Sequence, residues 1–140
     1  MYNVNTEQIE SRLAFLSTVV KALRLLNDKT SEESLLHRFA LERAVHVAAE
    51  SVTDIGNYMI DGFVMRDAAS YEDIIEILFG ENVFPSDVFD VISPLVLFRK
   101  PLVQNYYHLN HDDLISLSQQ LPEGLDRFAD CIVRYLSNEL

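Results

Sequence analysis

Basic residues are scarce in this chain: 11 Lys and Arg stand against 22 Asp and Glu, a net charge of −11. Attraction to phosphate polymers and anionic bilayers is largely electrostatic, so neither DNA nor a membrane is an expected partner, and any RNA contact must be local. Long apolar runs are also missing, the longest being far too short to cross a bilayer. The opening MYNVNTEQIESRL has neither the basic region nor the apolar stretch of a signal peptide, and a cytoplasmic location is the default expectation. A lone Cys131 excludes an internal disulfide. Beside Ile132 in an apolar helical pattern, it reads as a packed thiol rather than a reactive one. No repeat of about 20 to 50 residues, low-complexity tract or long linker interrupts the chain.

What is present is globular in composition, with 49% hydrophobic and 24% charged residues. A chain of 140 residues sustains one core, so 1–140 is expected to form a single domain. Ile9, Leu13, Leu16, Val20 and Leu23 follow helical spacing and, with Asn5 and Gln8 as a cap, predict a first helix over roughly 6–27. Thr30 with Glu33 offers a capping box for a long second helix reaching Met59 or Ile60, where Asp61 and Gly62 stop it. Gly62 suits the left-handed position past a helix end. Ser70 with Asp73 caps a short helix that Gly80 ends, and Pro85, Ser86 and Asp87 open another carrying Val88, Val91, Ile92, Leu95 and Phe98. Pro94 and Pro101 fall inside that helix and predict a kink or a break. Asn110, followed by His111, Asp112 and Asp113, caps a last helix that Pro122 and Gly124 are placed to interrupt near its start. The resulting fold class is all-α, an up-and-down bundle of four to five helices.

Two features carry chemistry. On the second helix, Arg43, His46, Glu50, Asp54 and Asn57 lie at offsets of 0, 3, 7, 11 and 14, within roughly 80° of one another at about 100° per residue. The rest of that helix is apolar nearly all round, as an interior helix is, and its breadth exceeds what one small bundle is expected to cover. The stripe is therefore a ladder of intrahelical pairs along Arg43, His46 and Glu50, or one wall of a polar cleft facing Arg99 and Tyr106. His46, Glu50 and Asp54 offer three ligands for a metal, but the repeated Glu-x-x-His of di-metal bundles is absent and no metal or other cofactor is expected.

The second feature is FRKPLVQNYY, residues 98–107, which holds the one adjacent basic pair, Arg99 and Lys100. An arginine amid LVLFRKPLV is expected to be partly buried and to need a partner, for which Glu50 or Asp54 would serve. Of Tyr106 and Tyr107, the bland expectation is one ring in the core and the other at the surface.

Arg99, four residues, Gln104, one residue, Tyr106: in an all-helical chain, this spacing resembles the HepT-like branch of the HEPN superfamily, whose motif is Arg, four residues, His, one residue, Tyr. The stretch LERAVHVAAESVTDIGNYMIDGFVMRDAASYEDIIEIL looks like that family's long helix and the short helix after it, so the likeness covers nearly the whole chain. The resemblance implies a helical bundle that forms a homodimer with both motifs near the dimer cleft. It implies a metal-independent RNA-cleaving toxin, encoded beside a nucleotidyltransferase antitoxin that attaches AMP to the motif tyrosine. Carried over, Arg99 takes the place of the phosphate-binding arginine, Tyr106 that of the AMP acceptor, and Gln104 the histidine position.

That last match is a departure. Metal-independent RNA cleavage moves a proton off the 2′-hydroxyl and another onto the leaving oxygen; histidine titrates in the working range, and a glutamine amide does not. Gln104 retains hydrogen bonding to phosphate while losing acid–base help worth about 10²–10⁴-fold in rate. His108, one turn beyond Gln104 if the helix continues, and His46 from the second helix are the candidates to compensate; otherwise His108 and His111 are ordinary loop histidines. Two readings stand: an RNA-binding or RNA-cleaving toxin-family protein with impaired catalysis, and a non-catalytic interaction protein that pairs with a nucleotidyltransferase-type antitoxin.

Overall fold

The computed structural model describes residues 2–28 and 34–140. Among them are five helices and no strand: α1 (Thr6–Asn27), α2 (Leu35–Gly62), α3 (Tyr71–Gly80), α4 (Ser86–Gln104) and α5 (His111–Glu139). The four long helices pack in a closed ring, α1 on α2, α2 on α4, α4 on α5 and α5 on α1, while α3 lies against α2 and α4. The all-α reading thus agrees with the structure. None of the described helices is long and apolar enough to cross a membrane.

The predicted caps at Asn5, Ser70 and Asn110 are in place, their side chains accepting from the backbone N–H groups of Gln8, Asp73 and Asp113. The Thr30–Glu33 capping box lies outside the described residues; the described part of α2 begins at Leu35, with Ser34 accepting from the N–H of His37 at 3.0 Å. Leu41, Val45, Ala48, Val52, Ile55 and Met59 are all fully buried, and α2 packs against each of the other four helices. From Leu41 to Met59 the apolar breadth of α2 is therefore covered within one chain, while Leu35, Leu36 and Phe39 at its start stay exposed.

Several local expectations are corrected. Gly62 is not the left-handed residue past α2: it is the last helical residue, and the positive φ falls at Val64, with φ 56°. Gly62 is instead a point of close approach, since a Cβ there would lie 2.8 Å from Val4 Cα. Nor do Pro94 and Pro101 break α4, which runs unbroken to Gln104. Each proline removes one intrahelical bond, but buried Ile92, Leu95, Val96 and Leu102 anchor the helix on both sides of the first and across the second. Pro122 and Gly124 likewise sit inside a continuous α5. A Cβ on Gly124 would meet Val91 Cγ1 at 2.6 Å, so this glycine sets the α4–α5 approach. Cys131 is buried, and burial raises its thiol above the ordinary range.

Candidate functional site

Arg99 emerges from α4 with its side chain only 22% exposed. Its Nε donates to Glu50 Oε1 of α2 at 2.8 Å, and its guanidinium carbon lies 3.8 Å from the centroid of the Tyr71 ring at the start of α3. A half-buried arginine needs both kinds of contact: the carboxylate compensates its charge, and the ring face gives it a flat, weakly hydrated support. One of its five N–H donors is thereby used, and among the described residues nothing claims those on Nη1 and Nη2. Arg99, Lys100, Val103 and Gln104 of α4 line a groove of about 440 Å³ whose other wall is Ser70, Tyr71 and Glu72.

Glu50 Oε1 also receives His46 Nε2, at 3.3 Å. The stripe on α2 thus divides. His46 and Glu50 pair along the helix, as a ladder would, and Glu50 also reaches Arg99, as a cleft wall would; Asp54 pairs instead with Arg12 Nε of α1 at 3.2 Å. Arg43 and Asn57 are exposed, and their side chains make no hydrogen bond or ion pair among the described residues. His46, Glu50 and Asp54 therefore do not converge, and among the described residues no three His, Cys, Asp or Glu side chains are grouped to hold a metal ion.

Beyond Gln104 the helix ends. Gln104 is exposed at the rim of the Arg99 groove, and Asn105 to His108 form a turn in which the His108 N–H donates to the Asn105 carbonyl at 2.9 Å. His108 accordingly is not one helical turn beyond Gln104, and that route to a substitute histidine is closed. His111 is not a loop residue either, being the first residue of α5. Tyr106 and Tyr107 are both at the surface, 66% and 79% exposed, edge to face with centroids 5.7 Å apart. The expectation that one ring enters the core fails because the chain leaves the helix before reaching them. Tyr106 lines a second groove, of about 310 Å³, with Phe39, Glu42, Arg43 and His46 of α2 and with Leu102. The Arg99–Glu50–His46 chain bridges the two grooves.

Reasoning from sequence missed Tyr71 and Arg12. Tyr71 carries no signal, because its place under Arg99 depends on how α3 docks. Arg12 did carry one: three residues after Ile9 and four before Leu16, it falls on the core-facing side of α1, where a cation needs a partner.

A family described as HepT-like, "Ribonuclease HepT-like", matches residues 6–132. YutE of Bacillus subtilis (strain 168), a proposed RNase, is 37% identical over 140 residues, covering 100% of this chain and 95% of that protein. A solved structure of YutE, described as a cytosolic protein of unknown function, superposes with a TM-score of 0.89 over 100% of this chain and 96% of its own. A tri-AMPylated HEPN toxin of Shewanella oneidensis, in complex with MNT antitoxin, is 19% identical with a TM-score of 0.81, covering 91% of this chain and 97% of the toxin. At that identity the likeness is one of fold.

Proposed function

The chain belongs to the HepT-like ribonuclease family, and from that premise we propose that it is a toxin-type RNA-binding dimer that cleaves RNA slowly. One observation carries this reading: Arg99 is pinned between Glu50 and Tyr71, leaving its terminal nitrogens for an anion in a groove shared with Lys100 and Gln104. Arginine forks match phosphate oxygens bidentately, and a guanidinium already held in place loses little entropy on binding. Gln104, at the family's histidine position, donates to phosphate but moves no proton. Cleavage is therefore slower than in a histidine-bearing member.

RNA binding by the purified protein, measured by titration at several salt concentrations, is expected to weaken as salt rises. The slope should be shallow, since Arg99, Lys100 and Arg43 provide contacts to only about two or three phosphates. Arg99→Ala should reduce affinity by about tenfold or more, and Gln104→His should accelerate cleavage. A wild type that neither cleaves RNA nor binds it in a salt-sensitive way sinks the proposal.

A second copy and an antitoxin are the partners this reading implies. Leu35, Leu36 and Phe39 at the start of α2 are exposed, and Phe39 lines the groove holding Tyr106, an apolar patch suited to a homodimer contact. Sedimentation showing monomer alone at micromolar concentration rules the dimer out. Tyr106 is exposed enough to accept AMP from a nucleotidyltransferase antitoxin, as the resemblance implies. After co-expression with such an antitoxin, mass spectrometry should find AMP on Tyr106; an unmodified tyrosine and no co-purification would leave the interaction reading without support. A cytosolic location, the one described for YutE, fits this role.

A further inference from the structure

We infer that His46 is the proton acceptor for RNA cleavage in this protein, taking the part that Gln104 cannot play. The inference rests on the RNA-cleavage reading above and adds to it a named base.

The geometry has three parts. His46 Nε2 lies 3.3 Å from Glu50 Oε1, so the neutral imidazole that donates there keeps Nδ1 as its unprotonated, accepting nitrogen. A carboxylate on one ring nitrogen fixes the tautomer and steadies the imidazolium that forms when the other takes a proton. The same Glu50 oxygen receives Arg99 Nε at 2.8 Å, so base and phosphate clamp are held to one carboxylate. Finally, His46 lines the groove of Tyr106, its side chain 28% exposed and therefore within reach of a bound strand.

The charged and titratable groups facing His46 are Glu42, Arg43 and Glu50 from α2, Arg99 from α4 through Glu50, and Tyr106 from the turn after α4. Arg12 and Asp54, one turn beyond Glu50, are paired with each other.

With a ribose seated between the two grooves, His46 Nδ1 takes the 2′-hydroxyl proton. The 2′-oxygen then bonds to phosphorus as the bond from phosphorus to the 5′-oxygen breaks. The electron pair leaves with that oxygen, which takes a proton from water, and the imidazolium returns its proton to the hydroxide so formed. The products are a 2′,3′-cyclic phosphate and a 5′-hydroxyl, with no net consumption of water.

The test is single-turnover RNA cleavage with chelator present, followed from about pH 5 to 9, beside RNA affinity. His46→Ala should slow cleavage by about 10²-fold or more, change the shape of the pH profile, and leave affinity within a few-fold. Gln104→His in that background should restore rate. Circular dichroism melting monitors the fold, and His46→Gln is measured in parallel in case the alanine variant unfolds. A variant that cleaves with the wild-type rate and profile overturns the inference, as does one whose affinity falls in step with its rate. A wild type that binds RNA without cleaving it overturns the inference and leaves RNA binding standing; one that does neither takes both down.

Discussion

Arg12 and Arg99 lie on different helices, yet each is held between a carboxylate of α2 and a tyrosine ring: Asp54 and Tyr58 for one, Glu50 and Tyr71 for the other. A third arginine works at the surface. Arg66 grips Asp73 through two bonds of 2.7 Å, and Asp73 also accepts from the Ala69 N–H while Ser70 caps α3. The Arg66 hydrogen bonds, then that backbone bond, hold the Asp73 carboxyl at about 2, below its ordinary 3.8. A depressed carboxyl contributes stability above its unfolded value and loses it as pH falls through the folded one. Acid titration monitored by helicity should therefore show part of the loss between about pH 4 and 2, and Asp73→Asn should remove that part. Because Arg66 is largely exposed, the effect should shrink in high salt, and a variant with an unchanged acid profile would refute it. At this scale the sequence revealed the need for partners and not their identity. A cation inside LVLFRKPLV called for a carboxylate, but Glu50 and Asp54 are one turn apart on one stripe, and only the docking of α1 and α4 assigns one to each arginine.

Helix positions were legible because amphipathic spacing and short polar caps are local signals: α1, α3 and α5 begin where those caps predict, and α4 begins at Ser86, just after Pro85, without a side-chain cap. Some prolines and glycines were misread for the opposite reason. Gly62 and Gly80 do close α2 and α3, but Gly62 keeps a helical backbone and is small because Val4 comes close; Gly124, small because of Val91, and Pro94 and Pro101, carried by buried neighbours, sit inside helices that their local preference would end. Two alanine substitutions separate these roles. Gly62→Ala puts a methyl against the Val4 backbone, where overpacking of about 1–3 kcal/mol outweighs a helix-propensity gain of up to about 1 kcal/mol. Gly80→Ala meets nothing within 4 Å and should stabilise by up to about 1 kcal/mol. Urea midpoints moving in opposite directions confirm the distinction, and midpoints moving together refute it.

Across the molecule, the acidic excess and the candidate site are reconciled by location: the site draws on one basic pair and a bridging carboxylate rather than on a broad positive field. The excess charge was evident in the sequence, as was the helical class; how five helices share one another's surfaces was not, since pairing order is not written in helical periodicity. The central position of α2 has a consequence for motion. A helix that touches every other one releases its amides to solvent only when the whole fold opens, whereas a turn with exposed side chains opens by itself. In hydrogen exchange, Ala44 to Ile55 should turn over at the global unfolding rate and Asn105 to His108 orders of magnitude sooner. His46 and Glu50 then belong to the slowest-opening unit and Tyr106 to one of the fastest, so the site should join a part that lasts as long as the fold to a part that opens independently of it.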